Sequence, residues 1–161
     1  MTSRRGYTGV MLAALAAIFL AGDAEGENAD APPIQLEAKI PLGDVRGRID
    51  HMAVDLARHR LFVAALGNDS LAVVDLNAQR LDRLIGELPE PQGVGYDPAT
   101  DTLYVANAGD GSVRLFKGPD LSPGERIELG SDADNIRVDS KAGRVFIGHS
   151  DGALAIVDAV T

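Results

Sequence analysis

Cysteine and tryptophan are both absent from this 161-residue chain. Without cysteine there is no disulfide framework, thiolate nucleophile, iron–sulfur cluster, cysteine-ligated zinc or covalent c-type haem. Aromatics make up only 4% of residues while 45% are hydrophobic, so a core must be built from aliphatic side chains. Basic residues are in deficit, with 15 Lys+Arg against 24 Asp+Glu and a net charge of −9. Nucleic-acid backbones and anionic membranes select basic surfaces, so neither is the expected partner. P-loop, GxGxxG, HExxH and GxSxG motifs are missing as well. Gly93-Val94-Gly95 lies inside a repeated strand pattern and is not a nucleotide fingerprint.

What is present begins with a leader. Arg4 and Arg5 precede Val10 to Leu20, a stretch without charged or strongly polar residues. Eleven residues reach about 16 Å as a helix, roughly half a bilayer's hydrocarbon core. That is short for a membrane span and suits a secretory signal peptide, with small residues allowing cleavage after Ala24 or after Ala31. Ser3-Arg4-Arg5-Gly6-Tyr7 resembles a twin-arginine export signal, although Thr8 stands where a large apolar residue is usual. The expectation is a periplasmic or secreted protein, with 1–31 as signal peptide and short linker and no membrane span once it is removed. The leader carries two arginines and four acidic residues, so the acidity belongs to the remainder.

A 42-residue repeat organises that remainder. Met52-Ala53-Val54-Asp55, Val94-Gly95-Tyr96-Asp97 and Ile136-Arg137-Val138-Asp139 each lead through a short turn into an apolar-aromatic-apolar triplet. The triplets are centred on Phe62, Tyr104 and Phe146. The first segment alternates as a half-buried strand does, and the second is apolar on both faces, as stacked sheets require. Asp and Gly then mark the hairpin turns at Gly67-Asn68-Asp69, Gly109-Asp110-Gly111 and Ser150-Asp151-Gly152. Third strands follow at Leu71–Asp75, Val113–Lys117 and Leu154–Asp158, and outer strands at Arg80–Ile85 and Arg126–Leu129. After residue 31, nothing keeps a helical 3.6-residue stripe.

Four antiparallel strands per roughly 40 residues predict an all-β fold of β-propeller blades. Leu103-Tyr104-Val105-Ala106-Asn107 with Gly111-Ser112-Val113 resembles the YVTN-type repeat, as do Leu61-Phe62-Val63-Ala64 and Ser70-Leu71-Ala72-Val73-Val74-Asp75. Over about residues 34–161 the chain is similar to the YncE-like family of exported bacterial propellers. The resemblance implies a ring-shaped scaffold and is nearly silent about chemistry. The repeats occupy 32–161, with blades at about 34–75, 76–117 and 118–161. Ile34–Leu42 matches an outer strand, which gives twelve strands in all: one outer strand, two full blades and three strands of another.

Propellers typically close with four to eight blades. Two readings follow: a truncated fragment from the N-terminal part of a longer propeller, or a homodimer. In the homodimer two chains form a six-blade ring, each end strand completing the other chain's open blade.

The residues entering the inner strands align by the same period: Asp50-His51, Gln92-Gly93 and Asp134-Asn135. Turns sharing that face add Asn68, Asp69, Asn107, Asp110, His149 and Asp151. A ring of such side chains at a channel mouth can hydrogen-bond a polar ligand, or ligate a divalent metal through Asp50, His51 and Asp134. Turn-formers such as Asn68, Asp69, Asn107, Asp110 and Asp151 have a sufficient structural reason already. His51 stands out as both ligand and base near neutral pH, whereas His59 falls in the opposite-face turn and is expected to be solvated. The expected function is a scaffold that binds a small ligand or a protein through Asp50, His51, Gln92, Asp134, Asn135 and His149. The alternative is a metal-dependent hydrolase, lactonase or redox-associated enzyme built on Asp50, His51, Asp134 and Asn135.

Overall fold

In each repeat the apolar-x-apolar-Asp segment and the triplet after it fold into a β-hairpin. In the computed structural model, which describes residues 34–150 and 152–159, β1 (Met52–Asp55) turns into β2 (Arg60–Ala65). Likewise β5 (Pro91–Asp97) turns into β6 (Thr102–Asn107), and β9 (Ala133–Asp139) into β10 (Arg144–His149). Each turn needs a left-handed residue at one repeat position, and His59 (φ 51°), Asp101 (φ 50°) and Gly143 (φ 62°) supply it. The aspartate closing each first strand stabilises the turn by accepting a backbone bond: Asp55 from Arg58, Asp97 from Ala99 and Asp139 from Ala142. Such Asx bonds are why aspartate recurs there.

The remaining strands are β3 (Ser70–Asp75), β4 (Arg80–Ile85), β7 (Ser112–Lys117), β8 (Ser122–Glu128) and β11 (Ala153–Asp158). A 3-10 turn, Leu66–Asn68, joins β2 to β3. The sheets are β1-β2-β3-β4, β5-β6-β7-β8 and the three-stranded β9-β10-β11, antiparallel throughout. Each outer strand pairs with the strand before it, so the sheets run 52–85, 91–128 and 133–158. The sequence-based blade boundaries near 75 and 117 therefore fall one strand early. Among the described residues no helix is long and apolar enough to cross a membrane. The leader and its two cleavage sites lie outside the described residues.

Ile34–Leu42 corrects one expectation, because it forms no strand. An outer strand needs a hydrogen-bonding neighbour, and none of the described ladders includes this segment. Ile40 and Leu42 instead pack against Val63, Ala72 and Val74 on the face of the first sheet. Chain Ala38–Thr161 forms one compact unit, and Ile34 and Leu36 outside it are exposed.

Stacking of the sheets makes the core. Phe62, Ala64, Leu71 and Val73 from the first sheet meet Val94, Leu103, Val105 and Phe116 from the second. One repeat later, Tyr104, Ala106, Val113 and Leu115 meet Ala133, Ile136, Val145 and Ile147 from the third. Burial of each valine, leucine, isoleucine or phenylalanine among them contributes about 1.5–3 kcal/mol. Strand β5 packs closely on β9 because glycine stands at two of its positions. A Cβ at Gly93 would lie 1.7 Å from the Asp134 carbonyl oxygen, and one at Gly95 would lie 2.5 Å from Ile136 Cγ2.

Candidate functional site

Gly93 occupies the repeat position held by His51 in the first sheet and Asn135 in the third. Its missing side chain lets the Asp134 carbonyl of the third blade come close, and beside it those two residues, 84 apart, meet: Asn135 Nδ2 lies 3.1 Å from His51 Nε2. Arg137 donates to Asn135 Oδ1, which turns the amide nitrogen toward the imidazole. His51 Nε2 is thus the acceptor, and the neutral ring carries its proton on Nδ1. That nitrogen lies 3.1 Å from Asp50 Oδ1 and 4.0 Å from Asp134 Oδ1. Neither contact has hydrogen-bond alignment, so both are electrostatic. Arg48 holds Asp50 through a 2.6 Å ion pair. The Gln92 carbonyl accepts from the His51 backbone N–H at 3.2 Å, tying the first two sheets together at this end.

Beside this cluster opens a cavity of about 270 Å³, lined by Asp132, Asp134, Asn135, Gly148, His149 and Ser150. Asp134 Oδ1, His51 Nδ1 and His149 Nδ1 are buried atoms without a hydrogen-bond partner in the described structure. Such atoms are costly unless something satisfies them. Asp134 and Asn135 connect the cavity to His51, so Asp50, His51, Gln92, Asp134, Asn135 and His149 share one end of the stacked sheets. Arg48, Arg137 and Asp132 join them and were not singled out by spacing. Arg48 precedes the repeated segment, while Arg137 sits within a strand pattern that reads only as apolar-x-apolar.

The turn residues divide as expected for structure. Asn68 clamps Arg46, accepting its N–H at 2.9 Å and donating to its carbonyl at 2.5 Å. Asp69 accepts from Glu90 N–H, Asp110 accepts from Ser112 N–H, and Asn107 is fully buried and bonds Ser112 Oγ at 3.1 Å. Asp151 lies outside the described residues. Among the described residues no group of three or more His, Cys, Asp or Glu side chains can hold a metal ion. The proposed trio of Asp50, His51 and Asp134 is not arranged as one: Arg48 engages Asp50, and Asn135 engages the histidine's free lone pair.

The opposite end is a closed ionic network. Asp55, fully buried, accepts from Arg58 Nη1 (3.0 Å) and Arg60 Nη2 (2.8 Å). Arg58 also forks onto Asp101 (3.0 and 2.6 Å) and donates to Tyr96 Oη, which in turn donates to Asp101 at 2.8 Å. Burial pushes the Asp55 carboxyl up, but bonds from Arg60 and Arg58 outweigh it and leave the group below its ordinary range. Asp101 is lowered likewise, its desolvation outweighed by Arg58 and Tyr96. Tyr96 is raised by burial and by its bond to Asp101. His59 is exposed in this turn, as expected.

Comparison with known proteins gives no matching family model and no matching curated sequence. Solved structures do match. The WD40 β-propeller domain of Doa1 superposes with a TM-score of 0.60 at 16% identity, over 71% of this chain and 38% of that one. The hydrazine synthase of Kuenenia stuttgartiensis gives 0.57 at 20% identity, over 62% of this chain and 29% of that one. The chain has the fold of β-propeller blades. It spans well under two thirds of either neighbour, and its described blades form no closed ring. In propeller terms β1, β5 and β9 are inner strands, and the His51–Asn135 cluster sits where they begin.

Proposed function

We propose that this chain is an exported, YncE-like propeller scaffold that binds a cationic ligand, a small amine or a basic peptide segment, at the His51–Asp134 end. The observation that carries the reading is Asp134 Oδ1, buried without a hydrogen-bond partner beside a cavity lined also by Asp132, Asn135 and His149. An ammonium group supplies the donors that Asp134 lacks, and the acidity that remains once the leader is removed draws cations toward it. Export rests on Arg4, Arg5 and the Val10–Leu20 apolar run. The unclosed row of blades agrees equally with a fragment of a longer propeller.

Fluorescence anisotropy with a labelled tri-lysine peptide tests the site. Binding that weakens at least tenfold in Asp134→Asn, and also as salt rises, is the expected result. No binding, or equal binding by the variant, overturns it. N-terminal sequencing of chain recovered from the periplasm tests export, with Glu25 or Pro32 expected as the new first residue.

A further inference from the structure

The third blade carries a face that the repeat has already used twice. In the first blade Phe62 lies opposite Val73 and Ala64 opposite Leu71; in the second, Tyr104 lies opposite Leu115 and Ala106 opposite Val113. All eight side chains are buried by the following blade. In the third blade the same register places Phe146 opposite Ile156 and Gly148 opposite Leu154. Among the described residues nothing covers Leu154 and Ile156, which are 60% and 62% exposed, and Phe146 is only half-buried.

The first blade carries the complementary deficit. Its inner strand presents Met52, whose repeat equivalents Val94 and Ile136 are buried against the preceding blade, and Val54, whose equivalents Tyr96 and Val138 are half-buried and packed against it. Met52 is 55% exposed and Val54 41%. Inside the molecule the two kinds of face meet, since β5 packs on β1 and β2, and β9 on β5 and β6. Phe62 and Tyr96 show the contact directly, with ring centroids 5.7 Å apart. Their equivalents on the free faces are Phe146 and Val54.

We infer that the third-blade face Phe146/Leu154/Ile156 docks onto the Met52/Val54 inner strand of a second copy of this chain. The described blades thus carry both halves of one seam. Two copies satisfy both seams at once, a head-to-tail contact that closes by two-fold rotation. Six blades fall within the range in which propellers close. The docking continues an interface already built twice from the same positions, and it needs no strand at Ile34–Leu42. Ile40 and Leu42 cover the outer part of the first-blade face, over Val63, Ala72 and Val74, and leave its inner strand open.

Sedimentation velocity on the full chain tests the inference, with a discrete dimer expected. Leu154→Asp and Ile156→Asp at one face, and Met52→Asp at the other, should each weaken the dimer at least tenfold. Leu56→Asp, at an exposed turn position outside both faces, should leave it unchanged. Far-UV circular dichroism confirms that each variant remains folded. Because the chain lacks cysteine, a second measurement is clean: chains carrying Val54→Cys and chains carrying Phe146→Cys are mixed and treated with a short thiol crosslinker. A crosslinked dimer specific to the mixture is expected. A monomer at every concentration, a dimer indifferent to Ile156→Asp, or a ladder of higher oligomers overturns the inference.

Discussion

The two ends of the stacked blades are built from the same repeat and finished in opposite ways. At the turn end, Asp55 lies between Arg58 and Arg60, and Arg58 also bridges to Tyr96 and Asp101 in the next blade. At the other end His51, Asp134 and His149 each keep a buried polar atom without a partner. Charge alone does not separate the two, since acids, arginines and histidine occur at both. The difference lies in saturation: one end satisfies its polar atoms from within and locks a seam, whereas the other leaves three of them without a hydrogen-bond partner.

The sharpest way to break this comparison is Gly93→Ala, which removes the gap that lets the open end assemble. A methyl 1.7 Å from the Asp134 carbonyl oxygen must displace backbone, and the expected cost is about 3 kcal/mol or more, read by chemical denaturation. Next comes the locked end. Asp55→Ala strands two arginines and should cost about 2–3 kcal/mol, below the usual figure for a buried pair because Arg58 is 36% exposed. If its unfolding midpoint matches the parent's, the network is ornament and the comparison fails.

Acid titration separates the ends without mutation. Asp55, Asp97 and Asp101 all sit at the turn end with carboxyls below the ordinary 3.8. For Asp97, hydrogen bonds from Ser140 and Thr100 outweigh the desolvation. A lowered folded pKa stabilises above the unfolded value, and that stability is lost as pH falls through the folded one. Thermal midpoints should therefore stay level down to about pH 4 and drop below it, with a shallower drop in Asp101→Asn. The smallest effect belongs to His51→Ala, which deletes one hydrogen bond at a partly exposed side chain. It should cost about 0.5–1 kcal/mol and weaken ligand binding less than Asp134→Asn does; a larger loss of stability would make His51 a structural residue.

Much of the fold was legible because apolar positions and turn aspartates carry the period. Phe62, Tyr104 and Phe146 marked the second strands, and Asp55, Asp97 and Asp139 marked the turns that their carboxylates now cap. The segment Ile34–Leu42 misled because its alternation resembles a strand, yet strand formation depends on a neighbour that periodicity does not show. The candidate site was legible as a set of aligned positions. The role of Gly93 was not, since its meaning lies in what two other repeats place on either side. Arg58 was illegible for a related reason: its partners Tyr96 and Asp101 belong to the next blade, and no other repeat has an arginine there.

The glycine between His51 and Asn135 also gives the row of blades a grammar. Repeats that share an apolar alphabet are often treated as interchangeable tiles, but these are not. A blade bearing histidine or asparagine at that position cannot take the middle place, because the backbone of its neighbour already fills the space. Shuffling the blades would keep every hydrophobic contact type and still produce a collision. Order here is written in one missing methyl group.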